Sequence, residues 1–219
     1  MDDDKQKLYL IRHAESAWNA ERKVQGTCPG ILLSEHGREQ ARLLGNRLRA
    51  IDAEAIYCSD AERAVETARL ALGDEREMIF MRELRELSLG EWEGRSLLEL
   101  REKEPSTTDQ WYREPTKVRI RGAEDIVRFR ERVVRVIESI MEGSGGGDVI
   151  IVTHGGVICA YLTHILGMKL DDLWSFSLPN ASITTVILDF KLRLRSFGET
   201  AHLGLGSGGR GFDGISSGG

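Results

Sequence analysis

Five short runs of apolar residues recur along the chain, each bounded by polar or turn-forming residues. Short apolar runs of this kind are typical of strands that are buried on both faces of a sheet, because neither face has to be polar. We therefore predict strands at 8–11, 55–58, 78–81, 149–152 and 182–190.

Between these runs the apolar residues recur every three or four positions, which is the spacing of an amphipathic helix. One helix is predicted over 34–51, where Leu44 and Leu48 share a face. Asp60 is a suitable N-cap for a second helix that continues to residue 72. Further helices are predicted over 124–141 and 157–166.

Strands that alternate with helices predict an α/β fold, a three-layer sandwich with a mostly parallel central sheet and helices on both faces. Segment 92–122 breaks this alternation and is predicted to form a lid-like excursion over the sheet. We expect one domain at 7–203, with an N-terminal tail at 1–6 and a flexible Gly/Ser-rich tail at 204–219.

The overall composition narrows the classes of function. The chain has a net charge of −5 and no block of basic residues, which argues against a nucleic-acid partner. Its cysteines, Cys28, Cys58 and Cys159, are odd in number and lack metal-ligand spacing, which favours a reducing, cytoplasmic compartment. The acidic N-terminus also lacks the apolar core of a signal peptide.

The stretch 149–168 contains no Asp, Glu, Lys or Arg and is long enough to span a bilayer. It also contains two histidines and the Gly155-Gly156 pair, and it begins with a predicted buried strand. A strand, turn and helix therefore fit this stretch better than a membrane span does, and we expect no membrane partner.

Residues suited to phosphoryl transfer follow two of the predicted strands. Arg12-His13 ends the first apolar run, and His154 follows the fourth. A guanidinium beside an imidazole at a strand end supplies a nucleophile and a charge clamp together. Ligands bind at the carboxyl edge of open α/β sheets, so we expect Arg12, Arg63 and His154 to surround a phosphoryl group there.

The chain resembles the histidine phosphatase superfamily, the relatives of cofactor-dependent phosphoglycerate mutase, over about residues 8–203. The resemblance implies that His13 is the nucleophile that becomes phosphohistidine. It also implies that Arg12 and Arg63 clamp the phosphoryl group and that His154 stabilises the transition state. The motifs that carry it are, in order, Arg12-His13, Asn19, Gln25-Gly26, Arg63, Glu86 and Thr153-His154-Gly155-Gly156.

A carboxyl group must also protonate the leaving oxygen and later take a proton from water. The candidates are Glu83, Glu86, Glu91 and Glu93, and the run from Leu84 to Gly94 resembles a signature of the phosphatase branch that selects Glu86. Glu83 is the nearest alternative.

The resemblance also implies which residues bind the substrate. Asn19 matches a phosphate-contacting position, and Gln25 is expected to line the same loop; the alternative for both is hydrogen bonding within the loop. Gly26 and Gly155 complete the predicted substrate-binding set.

The sequence departs from the family at four places. Ala14 replaces a glycine, Ala61 replaces a common leucine or proline, and Cys28-Pro29-Gly30 occupies a stretch where an aspartate is common. Segment 117–121 carries Lys117, Arg119 and Arg121, which meet a second anionic group of the substrate or form a solvated face.

We interpret the chain as a metal-independent phosphomonoesterase without a cofactor, a monomer or homodimer acting on a small phosphorylated substrate. The alternatives are a phosphoglycerate mutase and, from another class, a non-catalytic binding relative. By family resemblance, mutases carry a longer insertion between the acid and the second histidine, whereas Glu86 and His154 are only 68 positions apart. The intact catalytic set argues against the binding relative.

Overall fold

A computed structural model of the protein describes residues 5–204. Its centre is a six-stranded sheet with the strand order β3-β2-β4-β1-β5-β6. Strands β1 to β4 are mutually parallel, whereas β5 and β6 are antiparallel to their neighbours. The strands are β1 (Lys7–Arg12), β2 (Ala55–Ser59), β3 (Ile79–Met81), β4 (Val149–Thr153), β5 (Ile183–Leu188) and β6 (Leu192–Glu199).

Helices cover both faces of this sheet, as the sequence predicts. The helices are α1 (Ala17–Ala20), α2 (Glu35–Leu48), α3 (Glu62–Leu72), α4 (Leu97–Lys103), α5 (Pro105–Arg113), α6 (Ile126–Gly143) and α7 (Gly155–Ile165). Helices α2 and α3 contribute to one hydrophobic core, and α6 and α7 to the other.

Alternate residues of the central strands belong to opposite cores. In β1, Leu8 and Leu10 join the core under α6 and α7, while Tyr9 and Ile11 join the core under α2 and α3. Both faces are therefore buried, which explains why these strands appear in the sequence as continuous apolar runs.

The structure differs from the sequence prediction at several points. Helix α3 begins at Glu62 with Ala61 as its N-cap, because the carboxylate of Asp60 instead pairs with Arg85 at 2.5 and 2.9 Å. Strand β6 was not predicted. Its Leu192 and Leu194 alternate with arginines, and that alternation is the signal that indicates the strand.

The excursion predicted at 92–122 contains α4, α5 and a 3-10 turn at Pro115–Lys117. Within the predicted N-terminal tail, Gln6 is buried, and its amide donates to Gly147 O at 2.9 Å. Residues 1–4 and 205–219 of the predicted tails lie outside the described residues. Between residues 5 and 204, no helix is long and apolar enough to cross a membrane.

Candidate active site

The two histidines predicted at strand ends meet at the carboxyl edge of the sheet. Strands β1 and β4 are parallel neighbours with Arg12 opposite Thr153, and the His13 amide donates to Thr153 O at 2.8 Å. The ring centroids of His13 and His154 are consequently 5.2 Å apart. The next strand, β2, ends at Ser59, whose hydroxyl oxygen lies 2.8 Å from His154 Nε2 and orients that ring.

The His13 ring is buried and held in one tautomer. Its Nδ1 lies 2.8 Å from the Ala14 carbonyl oxygen, so Nδ1 carries the proton and Nε2 keeps its lone pair. Burial, followed by the charges of Arg63 and Arg12, lowers the pKa of His13 well below its ordinary value. A neutral imidazole with an available lone pair is the form that attacks phosphorus.

Arg12 and Arg63 place two buried guanidinium groups beside this ring, with only 4% and 1% of each residue exposed. Arg63 Nη2 donates to Gly26 O at 2.9 Å, and Arg12 Nη1 donates to Leu178 O. Burial lowers the pKa of both, yet arginine remains protonated at neutral pH. Within residues 5–204, no acceptor pairs with Arg12 Nε, Arg63 Nε or Arg63 Nη1.

The fully buried His154 adds a further nitrogen without a partner. Among the described residues, nothing hydrogen-bonds to its Nδ1. Burial and the nearby Arg63 lower the pKa of His154 well below its ordinary value. Buried polar groups are nearly always paired, so unpaired donors on two arginines beside this ring indicate a binding site for an anion with several oxygens, such as phosphate.

Glu86 is the carboxylate that the fold brings to this site. Its Oε2 accepts from Gly156 N at 3.0 Å, at the beginning of α7, and its Oε1 accepts from Leu87 N at 2.9 Å. A Cβ atom at Gly156 would overlap Glu86 Oε1, so a side chain there would displace this carboxylate. Glu83 and Glu91 are exposed, and neither lines the cavity that contains Glu86.

The predicted phosphate loop is held by side-chain amides. Asn19 Oδ1 accepts from Ser16 N at 3.1 Å and from Asn180 Nδ2 at 3.2 Å, and Gln25 Oε1 accepts from Ser16 Oγ at 2.7 Å. Both Asn19 and Gln25 also line the cavity, so the loop hydrogen bonding is present and contact with a phosphate stays a prediction.

Asn180 was not identified from the sequence. Its Nδ2 also donates to the His13 carbonyl oxygen at 3.1 Å, so this one amide holds both the His13 backbone and Asn19. A single asparagine in a loop before a strand carries no pattern that would distinguish it.

Glu93, one of the four carboxylates considered for proton transfer, forms hydrogen bonds to two loops. Its Oε1 accepts from Thr27 N at 3.0 Å, Leu89 N at 2.9 Å and Ser88 Oγ at 3.1 Å, and Cys28 Sγ donates to its Oε2 at 3.3 Å. Burial alone would raise the pKa of Glu93. The hydrogen bonds together have the larger effect, so the pKa of Glu93 lies below its ordinary value. Glu93 therefore joins the phosphate loop to the segment that carries Glu86.

A cavity of about 550 Å³ opens above these groups, and the helical excursion forms part of its wall. Of the nine predicted site residues, only His154 is absent from the lining. The other eight line the cavity: Arg12, His13, Asn19, Gln25, Gly26, Arg63, Glu86 and Gly155.

The basic residues of segment 117–121 lie outside this cavity. Lys117, Arg119 and Arg121 do not line it, and all three are exposed, in agreement with the solvated-face alternative.

In the described part of the chain, no group of three or more histidine, cysteine or carboxylate side chains is placed to hold a metal ion. The positive charge at the site comes instead from the two buried arginines.

Known proteins with similar sequences and structures share this architecture. The chain is 32% identical over 201 residues to phosphoserine phosphatase 1 of Hydrogenobacter thermophilus, covering 90% of this chain and 94% of the relative. It is 28% identical to the adenosylcobalamin/alpha-ribazole phosphatase of Escherichia coli, covering 84% and 91%. The solved structure of Bacillus stearothermophilus YhfR superposes with a TM-score of 0.84 at 34% identity, covering 90% and 99%.

A family model, the histidine phosphatase superfamily (branch 1), matches residues 8–194. This range begins within β1, contains His13, β4 and His154, and ends within β6. The chain therefore belongs to branch 1 of the histidine phosphatase superfamily.

Proposed function

We propose that the protein is a phosphomonoesterase that hydrolyses a small phosphorylated metabolite through a phosphohistidine at His13. The observation that carries this proposal is the Nε2 lone pair of His13, held available beside Arg12 and Arg63, three of whose buried nitrogens have no acceptor among the described residues. The relatives named above support hydrolysis as the outcome of the reaction.

In the first step, His13 Nε2 attacks phosphorus and the bond from phosphorus to the alcohol oxygen breaks. Arg12, Arg63 and His154 stabilise the charge that spreads over the equatorial oxygens. Glu86 gives its proton to the leaving oxygen, which departs as the neutral alcohol.

In the second step, the Glu86 carboxylate takes a proton from water as the water oxygen attacks the phosphohistidine. The bond between phosphorus and Nε2 then breaks, inorganic phosphate is released, and both His13 and Glu86 return to their initial protonation states. No metal or cofactor is part of this scheme, because the arginines provide the charge that a metal ion would otherwise supply.

The test is to quench a turnover reaction in alkali and to locate the phosphoryl group by peptide mapping. We expect an acid-labile phosphoryl group on His13, and we expect His13→Ala to abolish both labelling and turnover. Normal turnover by His13→Ala would refute the proposal. Activity that chelation abolishes and added metal restores would refute its metal-independent form.

A separate measurement distinguishes hydrolysis from mutase chemistry. A mutase has to keep water away from the phosphohistidine while its intermediate reorients, whereas a phosphatase admits water. We expect steady phosphate release from a monophosphate without a bisphosphate primer. Rapid, primer-dependent exchange between 2- and 3-phosphoglycerate with negligible phosphate release would reassign the activity and leave the His13 chemistry unchanged.

We further propose that residues 7–203 act as one catalytic domain in the cytoplasm. All three cysteines are free, which suits a reducing compartment.

A further inference from the structure

The cavity above His13 is larger than a phosphoryl group requires. Its volume of about 550 Å³ lies within the range of about 300–1,000 Å³ that is usual for drug-sized ligands. The phosphate site at Arg12 and Arg63 occupies the end nearest the sheet, so most of the cavity remains for the alcohol portion of the substrate.

Part of the wall around this remaining space is apolar. Half-buried side chains of Leu89, Leu97, Tyr112 and Phe176 line it. Burying apolar surface against such a wall is favourable in proportion to the area removed from water. A compact, fully polar alcohol would leave this wall in contact with water.

Three tryptophans make the wall rigid. Trp111 packs against Trp92 at 5.9 Å and against Trp174 at 5.7 Å between ring centroids, and all three line the cavity. The Trp92 indole N–H also donates to Glu104 at 3.2 Å. The apolar surface is therefore fixed by packing, so a ligand does not have to order it on binding.

The cavity also carries more positive charge than the phosphate requires. Besides Arg12 and Arg63, its lining contains Arg22, Lys23 and Arg101, whereas Glu86 is its one carboxylate among the described residues. This excess is local, because the whole chain has a net charge of −5.

One of the three outer cations is already neutralised. The ammonium group of Lys23 pairs with Glu21 at 2.6 Å, outside the lining. Arg22 and Arg101 are exposed and form no salt bridge within residues 5–204. Unpaired guanidinium groups at a cavity rim suit a carboxylate or a second phosphate.

We propose that the substrate is a phosphomonoester whose alcohol portion has an apolar, ring-containing body and a second anionic group. This inference rests on the proposed phosphatase function. The phosphate binds beside His13, the body packs against Leu89, Leu97, Tyr112 and Phe176, and the second anion reaches Arg22 and Arg101.

The test uses primary alkyl phosphates, so that the acidity of the leaving alcohol stays nearly constant. The series is ethyl phosphate, 2-naphthylethyl phosphate, its ring-carboxylated and ring-phosphonated analogues, and O-phosphoserine, which has the second anion without the body. We expect kcat/KM to rise about 10-fold from ethyl to naphthylethyl phosphate and about 10-fold again with one of the two ring anions. O-phosphoserine should fall below the anionic naphthyl analogues.

Two variants assign these gains to the residues. Phe176→Ala should reduce the advantage of the naphthyl group about 10-fold, and Arg101→Gln should reduce the advantage of the ring anion about 10-fold. Arg113→Gln is the matched control, because Arg113 is exposed on α5 and does not line the cavity. Melting curves of each variant verify that it is folded.

Equal kcat/KM for ethyl and naphthylethyl phosphates, or a higher value for O-phosphoserine than for the anionic naphthyl analogues, would overturn the inference. An Arg101→Gln effect that is equal for all substrates and disappears at high salt would indicate general electrostatic steering and would also overturn it. In these cases hydrolysis would still depend on His13. Failure to hydrolyse any member of the series would instead count against the proposed function.

Discussion

Glu93→Gln tests whether the carboxylate that joins two loops also sets the position of Arg63. The substitution keeps the shape of the side chain but removes its charge, and the new amide nitrogen replaces one of two accepting oxygens. Thr27 N and Leu89 N are the backbone donors that lose a charged acceptor. Thr27 follows Gly26, whose carbonyl oxygen holds Arg63.

The size of the effect follows from these contacts. A hydrogen bond to a charged group contributes about 1.5–3 kcal/mol and a neutral one about 0.5–1.5 kcal/mol, so each retained bond weakens by roughly 1 kcal/mol. Glu93 is half-buried, which limits the total loss of unfolding free energy to roughly 1–3 kcal/mol. A displacement of about 1 Å in a catalytic group lowers rates by up to ~10²-fold, and we expect kcat/KM to fall ~10-fold because the Gly26 backbone stays attached to its loop.

The assay measures kcat/KM and the inhibition constant of inorganic phosphate well below the melting temperature. Phosphate should bind more weakly to Glu93→Gln, because Arg63 is displaced from the site. Glu91→Gln is the matched control, since Glu91 is exposed two residues earlier and does not line the cavity. A Glu93→Gln protein that melts earlier but matches the control in kcat/KM and phosphate affinity would refute the positioning role and leave a structural one.

Three further predictions concern the reacting groups. Glu86→Gln cannot donate a proton, so turnover of alkyl phosphates should fall ~10²-fold or more while activated aryl phosphates lose less; equal small losses on both would move the role elsewhere. Gly156→Ala places a methyl group against Glu86 and should lower kcat about 10-fold, whereas Gly143→Ala, which meets open space, should leave it unchanged. His13 and His154 have lowered pKa values in the folded state, so the unfolded chain binds more protons below about pH 6.5. The free energy of unfolding should therefore be highest above that pH and should decline as the pH falls towards the pKa values of the folded state. His154→Asn should make the melting temperature fall less steeply with decreasing pH. An unchanged dependence of melting temperature on pH would contradict the lowered pKa of His154.

The sequence predicts the parts of the site that follow from strand direction. His13 and His154 end apolar runs, and parallel strands bring their carboxyl ends to one edge, so the placement of both residues at that edge follows from the pattern. The strand order that makes β1 and β4 neighbours does not follow from it. The roles of the residues rest on the resemblance and remain predictions that mutation will test.

Glu93 and Asn180 could not be placed in the same way, because each has partners that are distant in sequence and that include backbone groups. Glu93 meets donors 65 and 66 positions away, and the Asn180 amide donates to a carbonyl oxygen 167 positions away. Backbone N–H and C=O groups occur in every sequence, so no residue pattern marks those that a side chain will meet. Asp60 is the opposite case, where a good local N-cap signal is overridden by Arg85.

The central place of β1 in the sheet has a consequence for the order in which the site is assembled during folding. Strand β1 pairs with β4 and β5, which begin far along the chain at Val149 and Ile183. Contacts that join such distant segments form late, because the intervening chain must first be ordered. The pairing of β1 with β4 is what brings the His13 ring to within 5.2 Å of the His154 ring. We therefore expect the two rings to meet only once the centre of the sheet has formed, so that recovery of the site during refolding follows the slow, long-range strand pairing and not the early local contacts.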